Sequence, residues 1–226
     1  MDIKDVKLEF LGHSGFMITL AGGKRIAIDP YNISEKAVSG GKADLILITH
    51  SHYDHCSIKD IEKLSKKGTL IIVSADSQSK ITKINDVEMN VVGIGDEIEF
   101  GNVKIEVFPS YNIGKDFHPK KEGWIGYVIK MKDVIIYHSG DTDKIPEMEK
   151  LTGYGKLEND FIALVPVSGT YVMTAEEAAE AVSLMKPTIA IPMHYGAGVA
   201  GTVEDAKRFV ELCKEKGLKA EVMEKI

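Results

Sequence analysis

Residues 45–55 read Leu-Ile-Leu-Ile-Thr-His-Ser-His-Tyr-Asp-His. Four consecutive apolar residues, Leu45 to Ile48, are the pattern of a strand buried on both faces, and the run stops at Thr49. His50 therefore opens a loop at a strand end. Within six residues that loop holds three imidazoles and a carboxylate, His50, His52, His55 and Asp54, although the whole chain has only seven histidines. Surface or capping histidines explain such a density poorly. In a non-helical loop, alternate side chains such as His50 and His52 turn toward one ion while Asp54 and His55 face a second.

Outward from this loop, residues 6–10, 16–20 and 26–29 read as strands, with Gly22-Gly23 as the hairpin turn between the second and third. On the other side, Ser57 and Asp60 have capping-box spacing, and Ile58, Ile61 and Leu64 recur at helical spacing. A helix is thus predicted directly after the histidine cluster. Further strands are predicted at 70–73, 97–100, 103–109, 126–131, 134–137, 161–165 and 189–192, most of them separated by turn signals. Two more helices open at capping boxes, Thr174 with Glu177 and Thr202 with Asp205, the second ending at Gly217. Stretches 31–43 and 110–124 read as loops at the entrance to a site. Helices too few to cross over every strand suggest two sheets face to face with helices outside. The fold class expected is α/β, and residues 1–226 are expected to form a single domain, since no linker or low-complexity segment divides them.

Composition narrows the function. At 44% hydrophobic and 27% charged residues, the chain is an ordinary folded one rather than a disordered one. Its net charge is -6 and its lysines are scattered among acids, so there is no basic stripe and nucleic acid is not an expected partner. Cys56 and Cys213 make no CxxC pair, which fits a reducing cytoplasm. Neither an export signal nor an apolar run of roughly 18 residues is present, so no membrane role is expected. Gly93-Ile94-Gly95 opens no helix and excludes a dinucleotide fingerprint, and no nucleophile elbow occurs. A small-molecule substrate is the partner that remains.

Three other segments end apolar strands in ligand-type residues. Residues 134–137 lead into His138-Ser139-Gly140-Asp141, 189–192 into Met193-His194, and, less regularly, 103–109 lead on to His118. Taken in order, these residues resemble the metallo-β-lactamase superfamily, whose pattern is HxHxDH, a later His, an Asp in a GDT-like turn and a final His. Leu11-Gly12-His13-Ser14-Gly15-Phe16 and Ile28-Asp29-Pro30 extend the likeness across nearly the whole chain. Within the superfamily the sequence is most similar to the ascorbate-6-phosphate lactonase-like branch. The resemblance implies a four-layer αββα sandwich. It also implies metal ligation by His50, His52, Asp54, His55, Asp141 and His194, with Asp141 bridging two ions. The chain departs from the pattern at the third position, where it reads Pro109-Ser110-Tyr111-Asn112 instead of a histidine. His118, an oxygen of Asn112 or a water are the alternatives for that ligand, and His118 is preferred.

Two divalent ions, zinc first and manganese, iron or nickel as alternatives, would acidify a shared water to a metal-bound hydroxide near neutral pH. Asp54 is then the catalytic carboxylate that orients the nucleophile in a metal-dependent hydrolase of a small ester, lactone or phosphodiester. His13, Asn112, Tyr171 and Tyr195 are the candidate substrate contacts. Two other readings use the same side chains: a non-hydrolytic redox pair of metal ions, and a ligand-sensing module without turnover.

Overall fold

Alternation builds the start of the chain. In Val6–Gly12 the apolar Val6, Leu8 and Phe10 are buried while Lys7 is exposed between them. The computed structural model describes residues 1–156 and 158–226, which divide into two compact units, Met1–Gly93 with Met223–Ile226, and Ile94–Val222. The first unit holds a seven-stranded sheet in sequence order: β1 (Asp2–Ile3), β2 (Val6–Gly12), β3 (Gly15–Leu20), β4 (Arg25–Ile28), β5 (Leu45–Ile48), β6 (Thr69–Ser74) and β7 (Val87–Val92). Strands β1 to β4 form an antiparallel meander, and β4 to β7 pair in parallel. The parallel part needs crossovers, supplied by α1 (Glu35–Ser39), α2 (Ile58–Leu64) and α3 (Gln78–Ile81). Leu11, Met17, Ile46, Ile48 and Ile71 of the sheet share a core with Ala37, Ile61, Leu64 and Ile81 of these helices.

This unit differs from the sequence reading in several details, among them the short β1 and α3, which the reading does not contain. The stretch 31–43 is not all loop, because Ser34 accepts a hydrogen bond from the Ala37 amide at 3.1 Å and starts α1. Ser57 does begin α2, but without a capping box: Asp60 Oδ2 accepts from Ser57 Oγ at 2.7 Å and from the Asn32 amide at 2.8 Å. That carboxylate ties the 31–34 segment to the helix instead of closing the cap. Strand β7 carries little apolar signal in the sequence, since Glu88, Asn90 and an exposed Val91 make it an edge strand. The last residues complete the unit. Lys225 pairs beside Phe10 and its Nζ donates to Asn32 O at 2.8 Å, while Ile226 N donates to Phe10 O at 3.0 Å and its carbonyl accepts from Ser34 Oγ at 2.7 Å. Gly12, at φ +105°, is where this tail passes; a Cβ there would lie 2.9 Å from the Lys225 stem.

The second unit holds a six-stranded sheet in the order β13-β12-β11-β10-β9-β8, with β8 (Glu97–Phe100), β9 (Val103–Pro109), β10 (Ile125–Lys130), β11 (Val134–His138), β12 (Asp160–Pro166) and β13 (Ile189–Met193). Strands β8 to β11 are antiparallel; β11, β12 and β13 run parallel. Helix α4 (Ala175–Met185) connects β12 to β13, and α5 (Val203–Glu215) follows β13. Both open on the expected capping boxes, Thr174 with Glu177 and Thr202 with Asp205. Ala206, Phe209, Leu212 and Cys213 recur at helical spacing and are the buried face of α5, which packs on α4 and β13. Among the described residues no helix is long and apolar enough to cross a membrane.

Candidate metal centre

In the first unit the donors follow the carboxyl end of β5. Asp29, fully buried just past β4, accepts from the Thr49 amide at 2.9 Å, from Thr49 Oγ1 at 2.6 Å and from His55 Nδ1 at 2.7 Å. Thr49 Oγ1 also lies 3.0 Å from His50 Nδ1. The single hydroxyl proton of Thr49 goes to Asp29, so His50 Nδ1 must be the donor in that bond. A carboxylate only accepts, so His55 Nδ1 is likewise protonated. In neutral imidazoles both rings then carry their lone pair on Nε2, the form in which histidine binds a metal. The loop is pinned from below by Ser51 N donating to Asp76 Oδ2 at 3.0 Å and by the Lys80 ammonium on Ser51 O.

Asp54 faces these rings. His13 Nε2 donates to Asp54 Oδ2 at 2.8 Å, and His55 Nε2 stands 3.7 Å from the same oxygen. The ligand atoms of His13, Asp54 and His55 lie within 4.8 Å of one another, as do those of His50 and His55 and of His50 and His52. His52 is half-buried, the others are buried. Tyr31 sets its ring edge-on to His13 at 5.7 Å and to the exposed Tyr53 at 5.8 Å. Burial, together with Tyr53, Asp54 and Asp60, raises the Tyr31 phenol above its usual range.

In the second unit the donors follow β11, β13 and the segment after β9. His194 Nε2 is 3.1 Å and His118 Nε2 is 3.3 Å from Asp141 Oδ2, with all three residues buried. His118 Nδ1 donates to the Tyr171 carbonyl at 3.0 Å and His194 Nδ1 pairs with Ser168 Oγ at 2.9 Å. A neutral His118 therefore turns a lone pair toward an anionic oxygen, a repulsive contact that only a shared cation or proton relieves. Buried imidazole and carboxylate with each ring anchored through its second nitrogen is the donor chemistry that suits zinc and its neighbours. The residues of both units fit a divalent metal by this measure. His13, Asp29, His118 and His194 all have left-handed backbone, at φ 56°, 41°, 56° and 62°, a conformation that non-glycine residues hold only where surrounding structure imposes it.

The other predicted residues fall as follows. Asn112 is buried and gives its side-chain amide to Phe117 O and Tyr171 O, with the same nitrogen 3.4 Å from His118 Nδ1. Tyr171 contributes its carbonyl, and its ring packs against Phe117 at 4.7 Å. Tyr195 is buried, which pushes its phenol up to about 12. His138 accepts from the Gly140 amide at 3.2 Å and so shapes the turn that presents Asp141. Trp124 lies edge-on to His118 at 5.0 Å. Burial holds Cys56, like Cys213, as a thiol at about 12. Sequence reasoning missed Asp29, Thr49 and Ser168 as anchors of the imidazoles. A buried acid ending an apolar strand at Ile28-Asp29-Pro30 was the one available signal.

An α/β fold with two mixed sheets, and imidazole and carboxylate sets at the ends of its strands, defines the metallo-β-lactamase type of protein. The profile of the Beta-lactamase superfamily domain matches residues 7–194. A UPF0173 metal-dependent hydrolase of Thermococcus onnurineus is 37% identical, over 96% of this chain and 95% of its own length. The chain belongs to this family of the beta-lactamase superfamily. Among solved structures, a protein of Parabacteroides distasonis named as a metal-dependent hydrolase superposes with a TM-score of 0.81 at 30% identity, covering 96% of this chain and 92% of its own. Igni18, a metallo hydrolase of Ignicoccus hospitalis, superposes with a TM-score of 0.75 at 26% identity, covering 97% and 95%.

Proposed function

We propose that the chain is a cytoplasmic hydrolase that holds two divalent ions, zinc by preference, and cleaves a small ester, lactone or phosphodiester. In the first unit His50, His52, Asp54 and His55, and in the second His118, Asp141 and His194, are the residues that would hold metal. The observation that carries this reading is the anchoring of the rings: His50, His55 and His118 each donate Nδ1–H to an anchor, and His118 directs Nε2 at a carboxylate. Bound divalent ions would lower the pKa of a water toward neutrality and stabilise negative charge on the oxygen of the bond being cleaved.

The chain's own groups do the rest. Asp54, held at Oδ2 by His13, orients the attacking water and takes its proton. His13 therefore acts on the carboxylate, which makes orientation its role in place of substrate contact. Tyr195, next in sequence to His194, is a phenol, protonated across the neutral range as any ordinary tyrosine is and held still more firmly so by burial, and it would donate to charge developing on the substrate. The test is Asp54→Ala with a chromogenic phosphodiester and a lactone as substrates. Turnover is expected to fall by about 10²–10⁴-fold, the usual contribution of a positioned proton acceptor. Full activity in this variant would overturn the mechanism. Elemental analysis should find zinc in the native protein and less in His50→Ala; iron with visible colour would point instead to redox chemistry.

A further inference from the structure

The imidazole that faces Asp141 beside His194 arrives by a detour. Strand β9 ends at Pro109, and Asn112 closes the stretch Pro109-Ser110-Tyr111-Asn112 that stands where the resemblance leads one to expect a histidine. The chain then makes an excursion and returns at His118. Its base is closed by Asn112 N donating to His118 O at 2.7 Å and by a bridge between Asn112 and Pro119. The far side is held by Asp143, which accepts from the Ile113 amide at 2.8 Å and from the Lys115 ammonium; Lys115 also donates to Val172 O at 2.8 Å. Inside the excursion, Asn112 Nδ2 donates to Phe117 O at 2.9 Å and to Tyr171 O at 2.6 Å. The Tyr171 carbonyl thus receives both the Asn112 amide and the His118 ring.

We infer that Asn112 is a positioning residue: its amide fixes the angle at which His118 presents Nε2 to Asp141, and it is not itself a metal ligand. Two partners of Nδ2 are carbonyl oxygens, which can only accept, so chemistry decides which end of the amide is the NH2, and the same nitrogen lies 3.4 Å from His118 Nδ1, against the ring it positions. Phe117 carries its carbonyl one residue before His118, and Tyr171 O touches the His118 ring directly. Loss of the amide therefore frees the histidine from both directions while leaving β9, the 141–143 turn and β13 in place. The inference rests on the reading of His118 as a ligand.

The two roles for Asn112 make opposite predictions for Asn112→Asp, a substitution of nearly unchanged shape. A ligand oxygen becomes a stronger donor to a divalent ion when it is a carboxylate. A clamp fails, because the carboxylate sets an acceptor against two carbonyl oxygens. The experiment measures Zn²⁺ affinity by chelator competition on folded wild type, Asn112→Asp and His118→Gly. Asn112→Asp is expected to weaken one bound equivalent by about 10–100-fold, the range found when a group that orients a ligand is lost, and to match His118→Gly. Wild-type or tighter binding in Asn112→Asp would overturn the inference. If His118→Gly itself binds like wild type, the assignment of His118 as a ligand falls, whatever Asn112→Asp does. Should Asn112→Asp not fold, Asn112→Ser removes both bonds without adding charge; the same weakening is expected, and unchanged affinity refutes the clamp.

Discussion

Asp29 gathers three donors on one side chain, Thr49 N, Thr49 Oγ1 and His55 Nδ1, and through Thr49 it also sets His50. Asp29→Asn keeps the shape and tolerates the left-handed backbone, yet replaces an oxygen acceptor with an NH2 that cannot serve all three. Metal affinity should fall by about 10–100-fold, and the metal-free protein should lose about 1–3 kcal/mol as a buried donor goes unsatisfied. Chelator competition and urea unfolding of the stripped protein measure the two; an unchanged affinity would remove Asp29 from the site. Residues of this kind mark the limit of sequence reading. His50, His52, Asp54 and His55 were legible because they crowd one loop after one apolar run. Asp29 acts across a strand pairing between β4 and β5, which no local pattern encodes. His118 was legible as one of three alternatives, and only the fold brings it to 3.3 Å from Asp141.

Elements with a strong period were readable, and weak ones were not. The strands from β2 to β6 and from β8 to β13, and helices α2, α4 and α5, follow from alternation, apolar runs and capping residues. Helices α1 and α3, of five and four residues, are too short for a period to appear. Element ends carry the chemistry here, so close packing at those ends matters most. Gly126 in β10 shows this: a Cβ there would sit 2.6 Å from His138 O and 2.7 Å from Ser139 O, backbone atoms that cannot swing aside. Gly126→Ala should push β11 and the turn bearing Asp141, destabilising the protein by about 2–3 kcal/mol and weakening metal binding together with it. Thermal unfolding with metal titration checks both, and a variant as stable as wild type would show that the ends of β10 and β11 yield easily.

At the scale of the whole molecule, ligands bind the folded chain and the unfolded chain unequally. A metal present at 100 times its Kd adds about 2.7 kcal/mol to stability. At about 2–4 °C per kcal/mol for a chain of this length, chelation should lower Tm by roughly 5–10 °C. Calorimetry in excess chelator and after zinc readdition tests this, and an identical Tm in both would argue that no tightly held ion is present. The two-unit arrangement was not visible in the sequence, since nothing in composition marks residues 93 and 94 as a division or the last four residues as part of the first unit. That return of the chain has a consequence for synthesis. Met1–Gly93 leaves the ribosome before the second unit, but Lys225, which passes Gly12 and grips Asn32, and Ile226, which grips Ser34 and Phe10, follow only after all of that second unit. The turn that carries His13 must therefore wait for the whole second unit to be made before it gains its brace, and a nascent chain cut short of residue 223 would carry an N-terminal donor set that is built but not yet tightened.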